Sequence, residues 1–289
     1  MKNNLLKRML FWLIVVGIVV SAGFAQQRQA PALEIQKMSD NLYQLLGGGG
    51  ANGGFYIGDN GILVIDTKMS LEAVHQTLSE IKKISDKPII FLVNTHSDGD
   101  HIAGNKFFPQ SVTIVSHENC RKEFLLPGRD GKPSAWEDPA LAPFVPEVTY
   151  GKQMNLYLGS KRIELWYFGV GHTTGDSVVY FPEEKTAFIG DQMFQGRPQL
   201  IHSYKGGNSF EHVKTLTKML ETLDVETICS GHSVPFDRDT VKKHLVDMKK
   251  MQEKVKNLVS QRKNLDEVKA EFAQNEVRLV TSIFEEIKK

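Results

Sequence analysis

Two imidazoles and two carboxylates fall within six residues in the run His96-Ser97-Asp98-Gly99-Asp100-His101. Ionised and unpaired, groups at that density repel one another, and a bound cation removes the repulsion. Alternate residues of an extended chain share a side, so His96 and Asp98 face the same way. Gly99 lets the chain turn, and Asp100 and His101 can then address a second ion. The competing reading is a solvated acidic loop with incidental histidines. Four other places put a metal-ligand side chain beside Gly or a tight turn after an apolar stretch. They are Ile65-Asp66-Thr67, Gly171-His172-Thr173-Thr174-Gly175-Asp176, Ile189-Gly190-Asp191 and Ile228-Cys229-Ser230-Gly231-His232. Each has a plainer reading when taken alone. Asp191 could cap a helix, and His232 could be a buried hydrogen-bonding group. Asp66 is better placed to hold a ligand by hydrogen bonds than to be one.

A rigid strand end can hold such groups in register. Short apolar or alternating runs predict strands at 41–47, 54–58 and 61–66, with Asp59-Asn60-Gly61 as a hairpin turn. Residues 70–85 predict a helix with Leu71, Val74, Leu78 and Ile81 on one face and Ser70 as N-cap. Further strands are expected at 89–93, 112–115, 153–158, 161–168, 177–181, 186–189 and 226–230. Helices are expected at 101–108, 117–124 and 209–222. Residues 125–150 hold Pro127, Pro133, Pro139, Pro143 and Pro146, which predicts a long surface loop. Val241, Leu245, Met248, Val255 and Val259 recur at helical spacing among charged residues, so the C-terminal part begins with a long amphipathic helix. Asn264 caps a shorter helix through Phe272, and residues 276–288 form a third. These three helices are read as packing or dimerisation elements. His75, His212 and His244 fall on predicted helices and are read as exposed. The order of elements gives a layered α/β domain.

The 289 residues are 41% hydrophobic and 24% charged, a globular composition that excludes disorder on a large scale. Lys2, Lys7 and Arg8 precede the apolar run 9–20, which leads into Ser21-Ala22-Gly23-Phe24-Ala25. That order predicts a signal peptide cleaved after Ala25 and a periplasmic or secreted protein. The run is shorter than the roughly 20 residues that span a bilayer, so no stable insertion is expected after cleavage. The alternative is an uncleaved anchor. The expected organisation is a signal peptide at 1–25, the layered α/β domain at 26–236 and a helical extension at 237–289. Without residues 1–25 the chain keeps 32 Lys and Arg against 34 Asp and Glu. Nothing in that balance argues for a nucleic-acid surface. Cys120 and Cys229 are the only cysteines; one disulfide is possible, but two free packed thiols are favoured.

In this order, Ile65-Asp66, the His96 to His101 run, Gly171-His172-Thr173, Gly190-Asp191 and Gly231-His232 resemble the metallo-β-lactamase superfamily over about residues 35–235. The resemblance implies an αββα sandwich with a metal site at one edge. It implies that His96, Asp98 and His172 hold one divalent ion, that Asp100, His101 and His232 hold a second, and that Asp191 bridges them. It also implies hydrolysis by a hydroxide shared between the ions, with Asp100 orienting it and relaying a proton. Asp66, His117 and Thr173 would support the ligands from behind.

The chain departs from the family pattern H-x-H-x-D-H at Asp98, where the second His is usual. Three carboxylates then face two divalent ions. A carboxylate is also a harder ligand than imidazole, so zinc is the first metal expected and manganese or iron(II) are the alternatives that Asp98 opens. Asp191 resembles the glyoxalase II-like and lactonase-like branches, because the true β-lactamases tend to carry Cys or Ser there. The expected substrate is a small ester, lactone, thioester or amide. Trp136, Phe144, Phe194, Arg197, His202 and Tyr204 are candidates to line its pocket, and Tyr204 or His202 to protonate the leaving group. Two alternatives stand beside this reading: a periplasmic β-lactamase, and a metal-binding module without catalysis. A homodimer through the C-terminal helices is a further expectation.

Overall fold

The computed structural model describes residues 32–128 and 130–289. The expected signal peptide at 1–25 lies outside the described residues. Among the described residues no helix is long and apolar enough to cross a membrane.

Two sheets form the centre. The first runs β1 (Glu34–Lys37), β2 (Leu42–Leu46), β3 (Gly53–Ile57), β4 (Ile62–Ile65), β5 (Ile89–Val93), β6 (Thr113–His117) and β7 (Val148–Tyr150), in that spatial order. The strands from β1 to β4 are antiparallel; β4 to β7 are parallel. The second sheet has the order β13 (Phe236–Asp237), β12 (Thr227–Cys229), β11 (Thr186–Phe188), β10 (Val178–Phe181), β9 (Lys161–Trp166) and β8 (Gln153–Leu158). Only its β11–β12 pair is parallel, joined through helix α4 (Ser209–Thr222).

Alternation along the buried strands decides the layering. Leu63 and Ile65 of β4, Val93 of β5 and Val115 of β6 meet Val179, Phe181, Phe188 and Cys229 of the second sheet in one cluster. That cluster fills the space between the sheets. The intervening residues Ile62, Val64, Leu92 and Ile114 pack outward with Val74 and Ile81 of α1 (Leu71–Ile84). On the other side, Val178, Tyr180, Ala187 and Ile228 pack outward under α4, α5 (Arg238–Ser260) and α7 (Val277–Lys288). The fold is therefore an αββα sandwich. The C-terminal helices, with the short α6 (Leu265–Lys269) between them, share that last cluster and have no core of their own.

Several expectations need correction. Leu71 is exposed, and α1 buries Ala73 and Thr77 beside Val74 and Ile81. Residues 101–108 are not one helix: α2 (Gly99–Ile102) is a single turn, followed by a 3-10 turn at Asn105–Phe107. The proline-rich stretch holds 3-10 turns at Ala135–Glu137 and Ala142–Phe144, and then β7. β1 and β13 escape the sequence pattern because one is a half-exposed edge and the other has two residues. His75 is exposed, but His212 is fully buried and its Nε2 lies 3.0 Å from Nε2 of the half-buried His244 on α5. Cys120 and Cys229 are both free and buried.

Candidate metal centre

The chemistry-bearing residues sit where strands of both sheets end. Asp66 follows β4, the run from Asn94 to His101 follows β5, Asp191 follows β11 and His232 follows β12. His172 lies in the turn-rich connection after β9. Asp98 stands at the N-cap of α2, yet its side chain makes no cap bond and turns to other partners.

Two groups converge. Ligand-type atoms of His96, Asp98, His172 and Asp191 lie within 4.8 Å of one another, as do those of Asp100, His101 and His232. Asp191 links the two groups. Its Oδ1 is 3.1 Å from His101 Nε2, and its Oδ2 is 3.3 Å from His232 Nε2 and 3.9 Å from His96 Nε2. His232 Nε2 also reaches Asp100 Oδ2 at 3.1 Å.

The hydrogen-bond network assigns the tautomers of three imidazoles. His101 Nδ1 is 2.7 Å from Asp66 Oδ2, and His172 Nδ1 is 2.8 Å from the Leu200 carbonyl. Both partners can only accept, so each Nδ1 carries a proton, and in the neutral ring each Nε2 is a lone pair. Thr95 Oγ1 donates to Asp66 Oδ2 at 2.7 Å, which leaves it to accept from His96 Nδ1 at 3.1 Å. His96 Nε2 is then a lone pair in the neutral ring as well. These nitrogens face carboxylate oxygens: His172 Nε2 lies 3.0 Å and His96 Nε2 3.5 Å from Asp98 Oδ2. His96 Nε2, His101 Nε2 and Asp191 Oδ1 are buried without a hydrogen-bond partner. Imidazole nitrogens aimed at carboxylates hold either a proton or a metal cation between them. The donor set of imidazoles and carboxylates fits divalent metal ions.

Protons compete for the same lone pairs. Burial opposes charge on His101, but Asp191 and Asp66 raise its pKa well above the usual histidine value. Burial likewise opposes charge on His172 and His232, while Asp98 and Asp191 for the first, and Asp100 and Asp191 for the second, bring each to about 9. Burial works against ionisation of Asp98 and Asp191 too; the surrounding histidines hold both well below the usual carboxylate range.

Backbone geometry makes room for this crowding. Gly190 has φ +54°, and a Cβ there would meet Thr95 Oγ1 at 2.5 Å. A Cβ on Gly231 would meet Asp191 Oδ1 at 2.3 Å and His101 Cε1 at 2.6 Å. Asp66, itself at φ +55°, accepts from the Thr95 amide at 2.7 Å and so fixes the loop that carries His96.

The other sequence-predicted residues fall in three places. Thr173 bonds Asp176 through its amide and hydroxyl, which shapes the turn that presents His172. His117 does not reach a ligand side chain through the nitrogens expected to support one. Its Nδ1 accepts from Asn119 N at the start of α3 (Glu118–Phe124), and its Nε2 faces Gly151 O. Phe194 lies beside His232, with Arg197 stacked over it at 3.9 Å. Trp136, Tyr204 and Lys205 line a cavity with Phe124 and Leu126, whereas Phe144 packs beneath the first sheet. Tyr204 is half-exposed beside His202.

Sequence reasoning missed Lys205, Glu123 and Lys68. Lys205 Nζ bonds Asp98 Oδ1 at 2.7 Å, and Ser97 Oγ donates to Glu123 Oε2 at 2.5 Å. Lys68 is buried and donates to the Gly47 and Ala51 carbonyls at 2.7 Å each. It ties down the glycine-rich loop whose Ala51 and Asn52 amides bond Asp100 O and Gly231 O. Only the glycines beside the ligands gave any signal of this packing in the sequence.

The profile described as "Metallo-beta-lactamase superfamily" matches residues 46–232. The metallo-beta-lactamase type 2 of Elizabethkingia meningoseptica is 26% identical over 186 residues, 62% of this chain and 70% of that protein. The 2,4-dinitroanisole O-demethylase subunit alpha of Nocardioides sp. (strain JS1661) is 26% identical over 141 residues, and the match spans 48% of this chain and 40% of that one. A metallo-beta-lactamase from Pontibacter korlensis superposes with a TM-score of 0.63 at 19% identity, covering 75% of this chain and 99% of that chain. At that identity the likeness is one of fold.

Proposed function

The chain belongs to the metallo-beta-lactamase superfamily, and from that premise we propose that it is an exported hydrolase with two divalent ions, acting on an ester, lactone, thioester or amide. The observation that carries this reading is the set of three imidazoles whose Nδ1 protons are spent on acceptors while their Nε2 atoms converge on carboxylates. His96, Asp98 and His172 would hold one ion, and Asp100, His101 and His232 the other. Asp191, whose Oδ2 faces His96 and His172 of the first group and His232 of the second while its Oδ1 faces His101, would serve both. When bound, such ions act as Lewis acids toward a carbonyl and bring the pKa of a water molecule to about 7.

The chain's own residues supply the rest. His232 and His101 lower the pKa of Asp100 although burial opposes it, so Asp100 is ionised and can take a proton from the attacking water. His202, whose Nε2 lies 2.8 Å from Asp98 Oδ2, and Tyr204 beside it are the candidate proton donors to a leaving group. The cavity lined by Phe124, Leu126, Trp136 and Tyr204 suits a substrate of mixed polarity. Zinc is the first candidate metal, with manganese or iron(II) in competition. Export rests on the order of residues 2–28.

A second reading is β-lactam hydrolysis, favoured by the metallo-beta-lactamases among the relatives. A panel of esters, lactones, thioesters and amides with nitrocefin, run on protein loaded separately with zinc, manganese and iron(II), separates the two. The proposal expects turnover of at least one carbonyl substrate in the panel. Turnover of nitrocefin alone would favour the second reading. Tight metal binding without any turnover would favour a binding module that has lost catalysis.

A further inference from the structure

Asp98 stands where the family pattern has histidine, and the structure shows what accompanies the exchange. Its Oδ1 accepts from Lys205 Nζ at 2.7 Å. Lys205 donates its other two protons to Ser97 O at 3.0 Å and Ser97 Oγ at 2.8 Å, so all three of its donors are used. Asp98 Oδ2 lies 2.8 Å from His202 Nε2, on the same oxygen that His172 and His96 face. The ion pair is buried, with side-chain exposures of 9% for Lys205 and 13% for Asp98. Ser97 Oγ passes its own proton to Glu123, whose other oxygen accepts from the Thr174 amide and hydroxyl. Lys205 is thus fixed from two sides and cannot swing away as a surface lysine would.

We propose that Lys205 is a positioning residue that lets Asp98 do the work of a neutral histidine toward a metal ion. The inference rests on the metal-centre reading above. Two consequences follow from the contacts. The charges of Asp98 and Lys205 cancel, so the pair brings to the first ion the same net charge as a neutral imidazole. Lys205 also occupies Oδ1, which leaves Asp98 with Oδ2 as its donor and keeps it a one-oxygen ligand. Both effects oppose the drift toward hard, high-coordinate metals that an isolated carboxylate would bring. The site should therefore retain a zinc-like, low-coordinate preference despite its third carboxylate.

The test compares the wild-type chain with Lys205→Met, Asp98→His and the double variant. Each is loaded with cobalt(II), whose visible bands are strong in four-coordinate sites and weak in six-coordinate ones. Zinc and manganese affinities are measured in parallel by chelator competition. Lys205→Met frees Oδ1 and uncovers the charge, so the bands should weaken and the zinc-over-manganese preference fall about tenfold. Asp98→His leaves Lys205 uncompensated beside the ion and should weaken zinc binding about tenfold. The double variant should recover both the strong bands and the zinc preference. Unchanged bands and preference in Lys205→Met would overturn the proposal. So would a loss that the double variant fails to restore, since that is the mark of a merely structural lysine. Absence of metal from the wild-type chain would instead remove the metal-centre reading itself.

Discussion

An imidazole whose Nδ1 proton is already given to an acceptor has one lone pair left, and its position is fixed by that acceptor. Asp66 sets this for His101 directly and for His96 through Thr95; Leu200 O sets it for His172. Asp66→Ala should therefore weaken metal binding about 10- to 100-fold while the sandwich persists, measured by chelator competition alongside circular dichroism. Affinity equal to wild type would mean that Asp66 does not orient the ligands. Gly231 is a steric requirement of a different kind. Its Cβ would stand 2.3 Å from Asp191 Oδ1, so Gly231→Ala must displace the carboxylate that joins the two groups. Loss of at least one ion per chain is expected by elemental analysis. The ligand types were legible in the sequence because the dense His96 to His101 run is joined by His or Asp at four further positions just past apolar stretches. Lys205 was not legible: it meets Asp98 across a separation of 107 residues, and no local spacing encodes that contact.

The elements were legible to the degree that burial imposes a period. β4 and β10, buried on both faces, stood out as continuous apolar runs, and α4 falls at the expected 209–222. The half-exposed β1, the two-residue β13 and β7, which begins two residues after Pro146, gave no such run. Amphipathic spacing in α5 revealed a helix but not its partner, which is why His212 was read as exposed. In the structure α5 lies against α4, and the His212–His244 contact sits between them. Burial lowers the pKa of His244 to about 4 and that of His212 well below its usual value. The unfolded chain takes up these protons near pH 6.5, whereas the folded chain resists them. Their contribution is thus fully favourable above about pH 6.5 and is lost as pH falls toward 4. For His244 the loss is at most about 3 kcal/mol by that relation. Urea unfolding of chelator-treated protein at pH 7.5 and 4.5 should show a smaller drop for His244→Gln than for wild type. An equal drop would place the acid sensitivity elsewhere.

At the scale of the whole molecule, two sheets packed face to face bring strand ends from both layers to one edge. No single segment completes either group: the run from His96 to His101 contributes to both, and each is finished by residues from elsewhere. The first sheet supplies Asp66, His96, Asp98, Asp100 and His101; the second supplies Asp191 and His232, with His172 from the loop that follows β9. The αββα arrangement was legible only through resemblance, because alternation within a strand tells which residues are buried and not which layer receives them. The C-terminal helices cover the second sheet through the same cluster that holds α4, so they support the face behind Asp191 and His232. The proposed dinuclear centre joined by Asp191 can be read from the metal content of the purified chain. Elemental analysis of protein expressed with ample metal should find two divalent ions per wild-type chain, and one or fewer in Asp191→Ala. A wild-type chain that folds yet carries no stoichiometric divalent metal would rule out the metal centre, and an Asp191→Ala chain that keeps both ions would rule out the bridging role of Asp191.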